Sequence, residues 1–225
     1  MTIKFNTAIK AAAVAAALAF SSAGHAAINV SEMSHDDAFE YANFDASFFG
    51  EPFGTTITPW KLSGDVNTLA FCIDPTTPAD FQANYGGNPV APGSDIAALY
   101  ETSYSKVLSN GVYNAKQAAA FQLALWELLD NKDFGTGALI LPATGGLAAD
   151  NDLVAGYAYT MLGDALNYQG IGGSYVYTEY TAAGSQSLLG VSAVPEADTW
   201  AMMAVGLGLV GLIGRRKSEK SEKFA

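Results

Sequence analysis

Cysteine, histidine and basic residues are all scarce in this chain, and each scarcity removes a class of function. One residue of 225 is cysteine, Cys72, so no internal disulfide can form. Two are histidine, and His25 falls in an N-terminal segment read below as cleaved. Any histidine triad or multi-histidine zinc site would rest on His35 alone, which nearly excludes both. From 27 to 193 the cations are Lys61, Lys106, Lys116 and Lys132 against 18 aspartates and glutamates, a net charge of −14. So acidic a surface repels nucleic acid and anionic lipid. The acids are too many for any pair to stand out as a glycoside-hydrolysis couple. Asp130-Asn131-Lys132-Asp133 breaks the calcium-loop pattern at Lys132 and lacks its downstream glutamate. No metal or cofactor is expected, and there is no internal repeat, charge block or long low-complexity linker.

What is present is clearest at the two ends. Lys4 and Lys10 precede an apolar run from Ala11 to Phe20 and a small-residue stretch from Ser21 to Ala27. Residues 1–26 read as a secretory signal peptide cleaved after Ala26. At the other end Val194-Pro195-Glu196-Ala197-Asp198-Thr199-Trp200 precedes an apolar run from Ala201 to Gly214 and the basic stop Arg215-Arg216-Lys217. A short Pro-Glu motif, one hydrophobic span and a basic stop form an address and not a piece of fold. The segment 194–225 resembles the PEP-CTERM sorting signal of Gram-negative bacteria, although Pro-Glu-Ala stands where Pro-Glu-Pro is usual. The resemblance implies an exosortase-type sorting enzyme as partner. A transmembrane helix over about 199–214 is expected, 16 residues long. At the helical rise this reaches about 24 Å against about 30 Å of hydrocarbon. On that reading the bilayer is a second partner, with Arg215, Arg216 and Lys217 on the cytoplasmic side. The expected location is the cell surface or extracellular matrix of a Gram-negative bacterium, with the helix as an anchor at least transiently.

Residues 27–193 amount to one domain, long enough for a sizeable core. Strands are expected over Ala42–Phe49, Thr55–Leu62 and Val66–Ile73, with Pro59 making the second an edge or a bulge. Helices follow over about Ser94–Ser109, Asn114–Asp130 and Ala148–Asn167, the first capped by Ser94 and the second by Asn114 with Gln117 in a capping box. Tyr175–Tyr180 and Ser187–Ala193 read as closing strands. The pattern predicts an α+β domain, a β-sheet or barrel with a helical insertion, plus the C-terminal transmembrane helix. Leu141-Pro142-Ala143-Thr144-Gly145 matches a sortase signal by letter, but no hydrophobic span follows closely, so it reads as a turn.

The chemistry-bearing residues are Cys72 and the second helix. Cys72 ends an apolar strand just before Asp74-Pro75, where the chain must turn. Fifty residues on, Gln122 falls on the apolar side of a helical wheel among Ala118, Leu125, Trp126 and Leu129, while Lys116, Ala120, Glu127 and Asp130 share the other side. Burying an unpaired carboxamide costs about 1–3 kcal/mol. Either a neighbouring strand hydrogen-bonds the Gln122 side chain, or the side chain has been consumed by attack of the Cys72 sulfur with loss of ammonia.

Phe71-Cys72-Ile73-Asp74 and Phe121-Gln122-Leu123-Ala124-Leu125-Trp126 resemble the paired motifs of the Cys-Gln thioester domains of bacterial surface proteins. The likeness covers roughly Leu69 to Leu129. It implies an intramolecular thioester between Cys72 and Gln122, shielded by Phe121 and Trp126, that transfers Gln122 once to an amine- or hydroxyl-bearing surface target. Such a protein is a covalent adhesin and not a turning-over enzyme. The alternative is a non-covalent structural component of the exopolysaccharide or biofilm matrix, with exposed aromatics such as Trp60 and Tyr85 stacking on sugar rings.

Overall fold

The computed structural model describes residues 29–32, 39–40, 47–48, 51–52, 56–57, 59–63, 69–80, 82–109, 112–141, 149–194 and 205–207. Its frame is a six-stranded sheet of β1 (Asn29–Glu32), β2 (Trp60–Ser63), β3 (Leu69–Cys72), β4 (Gly86–Val90), β5 (Tyr175–Ala182) and β6 (Ser185–Ala193). The order across the sheet is β1-β2-β3-β6-β5-β4, and every pairing is antiparallel. β5 and β6 form the central hairpin, with Gly184 turning at φ 78°, a conformation glycine adopts without steric cost. Three helices, α1 (Ser94–Val107), α2 (Ala115–Leu129) and α3 (Ala149–Leu166), lie between β4 and β5 in the chain.

Side chains alternate across the sheet. Leu69, Phe71, Tyr177, Leu189 and Val191 join the helices in the larger core. Ala70, Cys72, Tyr180 and Leu188 point the other way, into a smaller cluster with Trp60, Leu62 and Tyr85. α2 is the most enclosed helix, buried continuously from Ala118 to Leu125. Asn114 caps it, accepting the Gln117 N–H at 3.1 Å. The Gln117 Oε1 is buried without a partner, so the expected capping box is not closed. Nor does Ser94 cap α1: it is the first helical residue, and its hydroxyl donates to Asp95.

Two expectations about architecture are corrected. The sheet is open and not a barrel, because β1 and β4 are edges with one neighbour each. β4 carries Pro89, which has no N–H to offer a further strand, and such residues belong at edges. β4 itself was not expected, since Gly86-Gly87-Asn88-Pro89-Val90 has the composition of a loop; pairing to Tyr177–Thr181 makes it a strand.

The second correction concerns the transmembrane helix. Among the described residues no helix is long and apolar enough to cross a membrane. Of the expected span only 205–207 is described, three exposed helical residues. The rest of the span lies outside the described residues, and at 16 residues it was already short of the hydrocarbon thickness. The membrane as a partner and the membrane-anchored location go with the helix.

Candidate functional site

Cys72 is the last residue of β3 and stands opposite Leu188 of β6. The next ladder bond runs from Ile73 N–H to the Ser187 carbonyl at 2.9 Å. This register makes Cys72–Leu188 a non-hydrogen-bonded pair, so the peptide N–H and C=O of Cys72 face away from β6, toward β2. β2, however, starts at Trp60, which pairs with Ala70. The Gln122 side chain fills the gap. The Cys72 N–H donates to Gln122 Oε1 at 2.8 Å, and Gln122 Nε2 donates to the Cys72 carbonyl at 2.8 Å. A side-chain amide from the middle of α2 thus replaces a strand at the end of the ladder.

Both residues are enclosed, Cys72 4 % and Gln122 2 % exposed. Burial pushes the Cys72 thiol up to about 11, against smaller lowering contributions from the Asp74 backbone and the Trp126 indole. The thiol is therefore protonated at neutral pH. Trp126, one turn beyond Gln122, packs against both core clusters. Phe121 lies wholly in the larger core, its ring 4.6 Å from that of Phe71 and 4.9 Å from that of Tyr100. Of the four residues predicted here, Cys72, Gln122 and Trp126 are brought together, while Phe121 supports the strand next to Cys72 from the helix side.

Trp60 and Tyr85 are not exposed platforms, being 4 % and 2 % accessible. Tyr85 closes over the Cys72 side of the sheet, its hydroxyl 2.7 Å from Ser185 Oγ. One residue escaped the sequence reading. Glu127, assigned there to the polar side of α2, is fully buried. Its Oε1 accepts the Asp133 N–H at 2.6 Å and its Oε2 has no partner. The wheel placed it with Lys116 and Asp130, and nothing in the local pattern signals that the loop after α2 folds back over it. Among the described residues no three His, Cys, Asp or Glu side chains stand close enough to hold a metal ion.

Val194 ends the described domain with its N–H donated to the Ser174 carbonyl at 2.9 Å. Pro195, Glu196, Arg215, Arg216 and Lys217 lie outside the described residues, as do residues 1–26, where the signal peptide was expected, His35 and residues 142–145. No curated protein and no solved structure matches the chain. Residues 193–217 do match a family model, the PEP-CTERM protein-sorting motif, so the chain bears a PEP-CTERM sorting signal.

Proposed function

We propose that the chain is an exported surface or matrix protein whose folded domain attaches covalently to a target through a Cys72–Gln122 thioester. The observation that carries this reading is the two-bond clamp between the Gln122 amide and the Cys72 peptide. It holds the Gln122 amide against the backbone of the residue that carries the one thiol of the chain, joining residues fifty positions apart. The Cys72 N–H already points at the oxygen that becomes negative when the sulfur adds to Gln122 Cδ, as an oxyanion-stabilising donor should. The new bond is Sγ–Cδ and the broken bond is Cδ–Nε2. The thiol proton leaves with the nitrogen as ammonia, and a thiol kept protonated by burial supplies it.

The second step consumes the bond. A target amine adds to Cδ, the C–S bond breaks, and the amine's proton passes to sulfur, leaving an amide on Gln122 and a free Cys72 thiol. A sulfur that resists ionisation is a poor leaving group, which slows hydrolysis in the absence of a target. The Trp126 indole beside the thiol limits the access of water. The event occurs once per molecule, so the protein does not turn over. The sorting signal delivers the domain to an exosortase-type enzyme and hence to the surface, where such targets lie.

A second reading has one observation in its favour. The intact Gln122 amide satisfies both polar groups of the Cys72 peptide, so the clamp is also a complete structural element. The protein is then a non-covalent matrix component, without sugar stacking on Trp60 or Tyr85. Intact mass of the purified chain beside Cys72→Ala and Gln122→Ala variants separates the two. The thioester form is one ammonia lighter than its sequence, and methylamine removes the deficit and frees the thiol. A mass equal to the sequence, with Cys72 alkylating as a thiol once denatured, overturns the covalent reading.

A further inference from the structure

A buried electrophile needs a way in, and the two sides of the Cys72–Gln122 clamp differ in what covers them. On the helix side stand α2 and the packed rings of Phe71, Tyr100, Tyr104 and Phe121. On the other side the cover is the connection between β3 and β4, described over residues 73–80 and 82–85. Ala79, Ala83 and Tyr85 of this connection pack on the cluster that holds Cys72. Thr76, Asp80, Gln82 and Asn84 face solvent, so among the described residues the cover is one chain thick.

The strap is stiff at its start and fastened near its end. The Asp74 carboxylate accepts the Thr76 and Thr77 hydroxyls at 2.7 and 2.6 Å, making a tight turn directly after β3. Further on, its polar contacts converge on the first two residues of β6. Asp80 N–H donates to Ser185 Oγ at 2.8 Å, and Gln186 N–H donates to the Pro78 carbonyl at 3.2 Å. The Tyr85 hydroxyl donates to the Gln186 carbonyl at 3.0 Å, which leaves the Ser185 hydroxyl to donate to Tyr85 at 2.7 Å. Ser185 is thus the centre of the fastening, an acceptor for one strap residue and a donor to another. Tyr85 is also close enough to Cys72 for a charge on the sulfur to shift its own titration.

We propose that this strap is a lid over the Cys72 sulfur, latched by Ser185 and Tyr85, and that its release admits the reacting nucleophile. The attacking group assumes the thioester reading, but the lid itself does not. Its test uses a thiol that is free under either reading. In the full chain carrying Gln122→Ala, the rate of Cys72 alkylation by iodoacetamide reports opening. Adding Ser185→Ala, or separately Tyr85→Phe, is expected to raise that rate on the order of tenfold, as loss of one or two buried hydrogen bonds implies. The acceleration should depend weakly on urea, because a local opening exposes little surface. Tyr85→Phe keeps the ring and removes only the hydroxyl, so it answers the question even if Ser185→Ala perturbs folding. Unchanged rates in both variants, or an acceleration with the urea dependence of global unfolding, overturn the lid. Neither result bears on whether the thioester forms, which the native mass decides.

Discussion

The two faces of the central sheet are covered by opposite means. One carries three helices and a dry aromatic core in which Phe71, Leu99, Tyr100 and Phe121 have no accessible surface. Over Cys72 the other is closed, among the described residues, by a polar-edged strap held at Ser185. The thick face supplies stability and a rigid mount for Gln122; the thin face lies over the sulfur. On the proposed thioester reading, separating the two roles lets the Cys72–Gln122 pair be held firmly from one side and reached from the other.

The comparison breaks first under large-to-small changes. Phe121→Ala on the helix face is expected to cost about 3–5 kcal/mol of unfolding free energy, since surrounding rings cannot collapse into the cavity. Leu188→Ala, opposite Cys72 on the strap face, should cost about 2–3 kcal/mol, because a one-chain cover can settle onto the smaller residue. Urea denaturation of both variants measures the contrast. Equal costs would mean that the two faces are equally rigid.

A smaller effect sharpens the picture along α2. Burial pushes the Glu127 carboxyl up from 4.5 to about 7, against the hydrogen bond from the Asp133 N–H, with Asp130 and Asp133 adding repulsion. The Lys132 cation in the same loop is paired with Asp95 of α1. The folded chain thus holds the Glu127 proton more tightly than the unfolded chain does. Its contribution is fully present below about pH 4.5 and is lost as pH rises through about 7. Glu127→Gln should flatten that stretch of the stability profile, gaining on the parent at pH 8 and not at pH 4. Thermal midpoints across the range read it directly, and parallel profiles for parent and variant would show that Glu127 does not titrate there.

The three helices were legible because each is long, periodic and bounded by turn residues; α2 runs from Ala115 to Leu129 behind its Asn114 cap, close to the predicted Asn114–Asp130. The strands were harder. Leu69–Cys72 shows itself as an apolar run, whereas Gly86–Val90 has no strand character until β5 pairs with it. Cys72 and Gln122 stood out, one as the lone thiol of the chain and the other as an amide on an apolar face. The bond pattern joining them was not legible, since it depends on where β2 starts relative to β3. Nor was the Tyr85–Ser185 latch, whose partners lie a hundred residues apart.

By itself the sequence determined the sorting motif and the chemistry at hand: a PEP-CTERM motif over 193–217, one thiol, and a strongly acidic stretch over 27–193. These are properties of composition and of short contiguous segments, which need no partner in space to have their effect. Tertiary structure alone decided that the sheet stays open, that Glu127 is buried, that Gln122 meets the peptide of Cys72, and which side of the sulfur is thinly covered. Each of those depends on strand register and on contacts between distant segments, and local propensity does not encode either.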